Sequence, residues 1–129
     1  MKEYISGIQH IGLPTGKIED TIAFYESLGF ERSFETALEL ETRKQRVCFL
    51  KQSNIVIEVY EEETAGEPGA IDHFAIDVKD IEEAFFDIKD LGYECLEGEI
   101  KSLPFWKNGV KFFTIMGPNG EKVEFSQIL

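Results

Sequence analysis

The chain contains an internal repeat, and this repeat constrains its fold more than any other feature of the sequence. The segment Ile8–Glu31 aligns without a gap with the segment Ile71–Glu94. Each segment has a histidine near its start and ends in Leu-Gly, an aromatic residue and a glutamate. Because two copies of one supersecondary unit favour two similar halves, the sequence predicts modules at 1–64 and 67–129. The chain is long enough for one domain only, so both modules should belong to a single domain at 1–129.

Each module is predicted to contain one strand, one helix and three further strands. Apolar residues alternate over 5–13 and 71–78, as in strands, and recur at helical spacing over 17–28 and 80–90. Further strands are predicted at 30–39, 44–51 and 54–60, and at 92–99, 109–116 and 121–127. The predicted fold is therefore α+β, with two βαβββ modules that form curved mixed sheets.

The predicted helices carry recognisable end signals. Asp80 precedes the second helix and is a suitable N-cap, because its carboxylate can accept from a backbone N–H of the first turn. Gly29 and Gly92 directly follow the two helices, where a left-handed backbone is common and costs glycine least. These signals predict the start of the second helix and the end of both helices.

Charge and composition exclude several classes of partner. The net charge is −12, from 25 acidic and 13 basic residues, and such a field repels nucleic acid and anionic membranes. No apolar run approaches the ~18 residues of a membrane span, and the N-terminus lacks an apolar signal segment. Cys48 and Cys95 form no CxxC motif, and we interpret both as buried thiols without a disulfide. We therefore expect a cytoplasmic protein.

Two histidines and two glutamates occupy corresponding places in the repeat. The sequence has only two histidines, His10 and His73, and they align with each other. A single histidine on a strand is more often a core residue, but two in register favour a shared role as ligands. Glu58 and Glu124 likewise correspond in the last strand of each module. Glu58 should face a mostly apolar surface, where an unpaired carboxylate is costly, although a solvent-facing glutamate is the alternative.

These four residues predict a metal site. If the two sheets face each other, His10, Glu58, His73 and Glu124 converge on one divalent metal. Two carboxylates neutralise the cation, and two octahedral positions stay open for water or substrate. Nitrogen and oxygen ligands of this kind suit Zn²⁺, Ni²⁺, Co²⁺, Mn²⁺ or Fe²⁺, among which the sequence does not choose.

Two further segments are candidates for substrate binding. Arg43 and Arg46 form a basic cluster in a predicted hairpin, and an arginine can bind a carboxylate or phosphate through two hydrogen bonds. The alternative is a solvated hairpin tip. Phe105 and Trp106 lie in a long connection that only the second module has, and such loops often close over sites. Packing of Trp106 against the core or a partner subunit is the alternative.

Several motifs are shared with a known superfamily. They are Gln9–Gly12, Ala23–Phe30, Ile57–Val59, Asp72–Ala75 and Gly117–Phe125. In these motifs the chain resembles the vicinal oxygen chelate superfamily, which contains glyoxalase I, methylmalonyl-CoA epimerase, extradiol dioxygenases, fosfomycin-resistance enzymes and bleomycin-resistance proteins. The resemblance covers essentially the whole chain, and the order His, Glu, His, Glu is most like bacterial glyoxalase I, also called lactoylglutathione lyase.

The resemblance implies a metal-dependent lyase or isomerase that works as a homodimer. Such an enzyme moves a proton between adjacent carbons of a small α-oxygenated substrate through a metal-bound enediolate. Glu124 is the first choice for the catalytic base, and Glu58 would act on the opposite face. Glyoxalase I carries an arginine shortly after its first histidine, but residues 10–15 contain none, so glutathione is not implied as cosubstrate.

Two other functions are compatible with the same residues. An epimerase that acts on an acyl-CoA or sugar derivative would use the same metal and base. A metal-free protein that sequesters a cationic drug would suit the net charge of −12. Such a binding protein would have no use for all four ligand positions.

Overall fold

The computed structural model resolves two compact units, which we describe separately. The structure describes residues 3, 8–64, 66–67, 69 and 71–129. Unit 1 comprises Met1–Ala65 and unit 2 comprises Gly66–Leu129, so the division falls between the two predicted modules. Within the described residues, each unit has a four-stranded mixed sheet and one helix, which confirms the predicted α+β fold with two βαβββ modules.

Unit 1 forms a sheet in which the first and last strands are neighbours. The sheet order is β1-β4-β3-β2, with β1 parallel to β4 and the other neighbours antiparallel. The parallel pair is possible because a helix and two strands carry the chain back between β1 and β4. The elements are β1 (Ile11–Thr15), α1 (Ile18–Ser27), β2 (Glu31–Glu39), β3 (Lys44–Gln52) and β4 (Ile55–Glu61).

Unit 2 repeats this topology with a shorter edge strand. The sheet order is β5-β8-β7-β6, and β5 runs parallel to β8. The elements are β5 (His73–Asp77), α2 (Ile81–Asp90), β6 (Lys101–Leu103), β7 (Val110–Met116) and β8 (Lys122–Ile128). No helix in the described part of the chain is long and apolar enough to cross a membrane.

The strand predicted at 92–99 is wrong. This segment forms turns, and the edge strand is instead the short β6. The Leu96 N–H donates to the Thr114 carbonyl, and the Glu97 carboxylate accepts from the Thr114 N–H at 2.7 Å. The Glu97 side chain therefore accepts from a backbone N–H of β7 that a neighbouring strand would otherwise pair. Residues 92–99 can satisfy this edge of β7 without forming a strand.

The first strand is shorter than the sequence predicts. A strand is expected over 5–13, but β1 begins at Ile11, and residues 8–10 precede it without regular structure. Residues 4–7 lie outside the described part of the chain. The other elements begin and end within two residues of their predicted limits.

The predicted helix ends are confirmed. The Asp80 side chain accepts from the Glu83 N–H at 3.0 Å and caps α2. Gly29 and Gly92 follow the helices with φ of 95° and 90°, in the left-handed region. The residue after each glycine donates its N–H back to the last turn of the helix, which is a common way to satisfy terminal carbonyls.

In each unit the helix covers one face of the sheet and forms the core with it. Burial of each large apolar side chain in this core stabilises the fold by roughly 1.5–3 kcal/mol. The core residues of unit 1 include Ile22, Tyr25, Leu50, Ile57 and Val59. Those of unit 2 include Ile81, Ile88, Phe113, Ile115, Val123 and Phe125. The predicted ligands lie on the opposite face of each sheet.

Candidate metal centre

His73 and Glu124 lie together on the sheet face that α2 leaves uncovered. His73 begins β5, and the register of β5 with β8 places Ala75 beside Glu124. Because alternate strand residues share a face, His73 and Glu124 point the same way. Nε2 of His73 is 3.1 Å from Oε2 of Glu124, and the two side chains are 47% and 18% exposed. Unit 2 therefore brings together one imidazole and one carboxylate at an accessible place.

The other nitrogen of His73 also has a carboxylate partner. Nδ1 of His73 is 3.0 Å from Oδ2 of Asp72, and the Lys122 ammonium donates to Oδ1 of Asp72 at 3.0 Å. The hydrogen bond with His73 lowers the pKa of the Asp72 carboxyl, and the bond from Lys122 lowers it further. Asp72 is thus held as a carboxylate between a ring and an ammonium.

Burial dominates the electrostatics of Glu124. Partial desolvation raises the pKa of its carboxyl, and the Glu97 carboxylate raises it further. His73 acts in the opposite direction and favours the ionised form. The net effect is that the pKa of the Glu124 carboxyl lies above its ordinary value.

Unit 1 presents a similar pair on the matching face of its sheet. The register of β1 with β4 places Gly12 beside Glu58, and that of β3 with β4 places Phe49 there as well. The ring of His10 contacts the ring of Phe49 edge to face at 5.8 Å, so His10 lies on the same face as Glu58. Nδ1 of His10 is 3.0 Å from the side-chain oxygen of Gln9.

The two pairs occupy equivalent places in their units. Gly12 and Ala75 correspond in the repeat, and each is the strand neighbour of the predicted glutamate ligand. Ile57 and Val59, which flank Glu58, are fully buried, as the alternation of the strand predicts. The sequence repeat therefore extends to the placement of one histidine and one glutamate on the sheet face opposite each helix.

The His73–Glu124 pair fits a metal in chemistry and in spacing. Nitrogen and oxygen ligands at about 2.1 Å from a cation and at right angles are about 3 Å apart, close to the observed 3.1 Å. Imidazole with carboxylate is a donor set that first-row divalent metals accept. Among the described residues, no three His, Cys, Asp or Glu side chains are grouped as a metal site. Each unit thus contributes a pair, and the convergence of all four ligands stays a prediction.

The basic cluster is engaged in ion pairs within unit 1. Arg43 donates to the Glu62 carboxylate and to the Glu61 carbonyl, each at 3.2 Å. Arg46 pairs with the Glu19 carboxylate of α1, so it lies on the helix side of the sheet and not on the face of Glu58. Their use in substrate binding stays a prediction, and an anion would have to displace these carboxylates.

The aromatic connection lies at the surface of unit 2, between β6 and β7. Phe105 and Trp106 are 52% and 65% exposed, and their rings meet edge to face at 6.1 Å. Trp106 has φ of 58°, which is uncommon for a large side chain. Exposed aromatic rings are suited to ligand contact, and their role in substrate binding stays a prediction.

Sequence reasoning assigned no role to Gln9, Asp72 or Lys122. The signal was present, because the residue before each histidine of the repeat carries a side-chain oxygen. A histidine that binds a metal through one ring nitrogen commonly donates the N–H of its other ring nitrogen to such an oxygen. Lys122 gives no signal of this kind, since only the strand register places it beside His73.

A family model and several known proteins match this chain. The model of the Glyoxalase/Bleomycin resistance protein/Dioxygenase superfamily matches residues 7–125. The uncharacterized protein YwbC of Bacillus subtilis (strain 168) is 28% identical over an alignment of 141 positions, which covers 93% of this chain and 96% of YwbC.

Two solved structures illustrate the likeness in fold. A glyoxalase family protein from Enterococcus faecalis is 22% identical with a TM-score of 0.77, and the match covers 95% of this chain and 98% of that one. The fosfomycin resistance protein FosX from Listeria monocytogenes, in complex with Mn(II) and sulfate, is 19% identical with a TM-score of 0.71. That match covers 97% of this chain and 94% of FosX.

Proposed function

Because the chain belongs to the glyoxalase/bleomycin resistance protein/dioxygenase superfamily, we propose that it is a metal-dependent lyase or isomerase of glyoxalase I type. It would move a proton between adjacent carbons of a small α-oxygenated substrate. The observation that carries the proposal is the His–Glu pair on the same sheet face of each unit, with His73 and Glu124 at 3.1 Å.

His10, Glu58, His73 and Glu124 would hold one divalent metal between them. The two pairs would supply this site either from one chain or from two chains of a homodimer. When bound, the metal would supply a Lewis acid that holds two adjacent substrate oxygens and stabilises negative charge on them. The Mn(II) in the FosX structure supports the use of a hard divalent cation in this superfamily. Zn²⁺, Ni²⁺, Co²⁺, Mn²⁺ and Fe²⁺ are all compatible with the donor set.

Glu124 is the proposed catalytic base. Its carboxyl is partly buried, and this burial raises its pKa. Glu58 occupies the equivalent place in unit 1 and would act on the opposite face of the substrate. Two carboxylates in equivalent positions allow a proton to be removed at one carbon and returned at its neighbour.

An epimerase that acts on an acyl-CoA or sugar derivative would use the same proton transfer. A drug-sequestering protein would instead require an apolar or acidic cavity and no metal. Metal binding separates the drug-sequestering protein from the enzymes, and the identity of the substrate that takes up deuterium separates the epimerase from the proposed lyase or isomerase.

Metal binding tests the ligand assignment. Protein stripped with a chelator and titrated with Mn²⁺ or Co²⁺ should bind one metal per chain, and His10→Ala, Glu58→Gln, His73→Ala and Glu124→Gln should each lose stoichiometric binding. Asp77→Asn is a matched control, because it removes an exposed carboxylate from β5 without touching either pair. Full binding by His10→Ala and Glu58→Gln would contradict the four-ligand site.

Proton transfer tests the reaction class. In deuterated water the loaded enzyme should incorporate deuterium into a substrate from a panel of α-hydroxyaldehydes, thiohemiacetals and acyl-CoA compounds. Glu124→Gln should lose this incorporation, because the substitution removes both a metal ligand and the carboxylate that would accept the proton. Stoichiometric metal without exchange into any member of the panel would count against the enzyme proposal.

A further inference from the structure

The two candidate histidines differ in the group that holds their Nδ1 atoms. His73 faces the Asp72 carboxylate at 3.0 Å, whereas His10 faces the neutral amide of Gln9 at 3.0 Å. These partners occupy the same place in the repeat, so the difference is one of charge and not of position. Unit 2 therefore holds its imidazole with a charged partner, whereas the Nδ1 partner of His10 among the described residues of unit 1 is a neutral amide.

The charge matters because His73 lies between two carboxylates. A neutral imidazole has one N–H and one lone pair, and its neighbours decide which nitrogen carries the hydrogen. Asp72 can accept that hydrogen from Nδ1, and Glu124, at 3.1 Å from Nε2, can accept it there instead. Only the first arrangement leaves the Nε2 lone pair directed toward Glu124 and available to a cation.

Lys122 holds the Asp72 carboxylate in position beside His73. Lys122 is the strand neighbour of His73 in β8, and its ammonium donates to Oδ1 of Asp72 at 3.0 Å. The other oxygen of Asp72 is the one that faces His73. Since the two oxygens have separate partners, Lys122 orients the carboxylate without occupying the oxygen that the imidazole needs.

We propose that Asp72 is a positioning residue that keeps the hydrogen of His73 on Nδ1 and so prepares Nε2 to bind the metal. This role rests on the proposed metal-dependent function. It deepens that function by making unit 2 the half of the site that is ordered before the cation arrives. Lys122 supports the role through Asp72, which its ammonium contacts at 3.0 Å.

The hydrogen position is measurable in metal-free protein by ¹⁵N NMR of the histidine side chains. At pH 9, where an ordinary imidazole is neutral, His73 should carry its hydrogen on Nδ1. In Asp72→Ala the hydrogen should move to Nε2, where Glu124 accepts it. Asp72→Asn retains a carbonyl acceptor and should keep part of the Nδ1 form, whereas Asp77→Asn should leave the His73 signals unchanged.

Metal affinity provides the second readout. Asp72→Ala should weaken Mn²⁺ or Co²⁺ binding on the order of 10- to 100-fold, as the loss of such outer partners typically does. Asp72→Asn should recover part of the affinity, and Asp77→Asn should bind as the unaltered protein does. If Asp72→Ala unfolds, its amide spectrum will show this. Asp72→Asn is then the variant whose hydrogen position and metal affinity are compared with those of the unaltered protein.

The outcomes separate this role from the proposed function. Nδ1–H in the unaltered protein and Nε2–H in Asp72→Ala support the positioning role even if no metal binds, in which case the metal-dependent function itself fails. An unchanged hydrogen position in Asp72→Ala overturns the role, even if the metal binds with full stoichiometry. Where the unaltered protein binds the metal, an equal affinity of Asp72→Ala also overturns the role.

Discussion

At the scale of single residues, the two cysteines illustrate how surroundings decide reactivity. Cys48 is 1% exposed in β3, and burial raises the pKa of its thiol to about 11, with a further contribution from the Glu35 carboxylate. Cys95 lies in the turn region before β6, partly exposed, with its Sγ 3.6 Å from a carboxylate oxygen of Glu97. The interpretation of Cys48 as a buried thiol is confirmed, whereas Cys95 is only partly buried.

Thiol labelling at pH 8 should therefore distinguish the two cysteines. The pKa of about 11 reduces the thiolate fraction of Cys48 on the order of 100-fold from that of an ordinary thiol, and burial restricts access further. We expect one fast equivalent of reaction, from Cys95, and a second only on unfolding. Cys95→Ser should abolish the fast phase. Two fast equivalents in the folded protein would contradict the assignment.

At the scale of elements, the two helices begin at equivalent positions by different means. Asp80 caps α2 through its side chain, whereas Lys17 occupies the corresponding position of α1 and makes no such bond. In unit 1 the Thr15 and Thr21 hydroxyls, both fully buried, lie 2.9 Å apart, and Thr21 also donates to the Lys17 carbonyl. A buried hydroxyl pair thus connects the end of β1 with the first turn of α1.

The difference predicts unequal effects of alanine at the two positions. Asp80→Ala should lower the free energy of unfolding by about 1 kcal/mol, because the Glu83 N–H loses its acceptor. Lys17→Ala is the matched variant and should be close to neutral, since no side-chain cap is lost. Chemical denaturation of both variants measures the two values. Equal losses would show that the Asp80 carboxylate contributes nothing specific.

At the scale of the whole molecule, the sheet faces that carry the candidate ligands are only partly covered. Phe34 and Leu38 lie on the face of Glu58 and are 59% and 49% exposed, and Met116 lies on the face of Glu124 and is 49% exposed. Exposed apolar side chains beside a candidate site favour association with another protein surface. A second copy of the chain is the partner that the superfamily resemblance predicts.

We therefore expect a homodimer in solution. Each chain has a mass of 14.7 kDa, so sedimentation should give roughly 29 kDa. Mixing His10→Ala with His73→Ala, after dissociation and reassembly, should restore metal binding to part of the sites if each site is shared between two chains. A single species of about 15 kDa, with or without metal, would contradict the dimer.

The sequence by itself determined the architecture and the positions of the candidate ligands. Periodicity and helix-end signals act over a few residues, so they predict α1 and α2. The repeat compares two stretches of the sequence directly, so it predicts that His10 and His73 occupy corresponding positions. The likeness of the two halves also predicts that Glu58 and Glu124 are equivalent, and the strand registers confirm this.

Only the tertiary structure decided which side chains meet across the sheet. The Glu97 carboxylate replaces a strand at the edge of β7, Arg46 pairs with Glu19 of α1, and Lys122 reaches Asp72 from a neighbouring strand. Partners of this kind are far apart in the chain and carry no periodic signal. Their contacts depend on strand register and burial, which exist only once the sheet has formed.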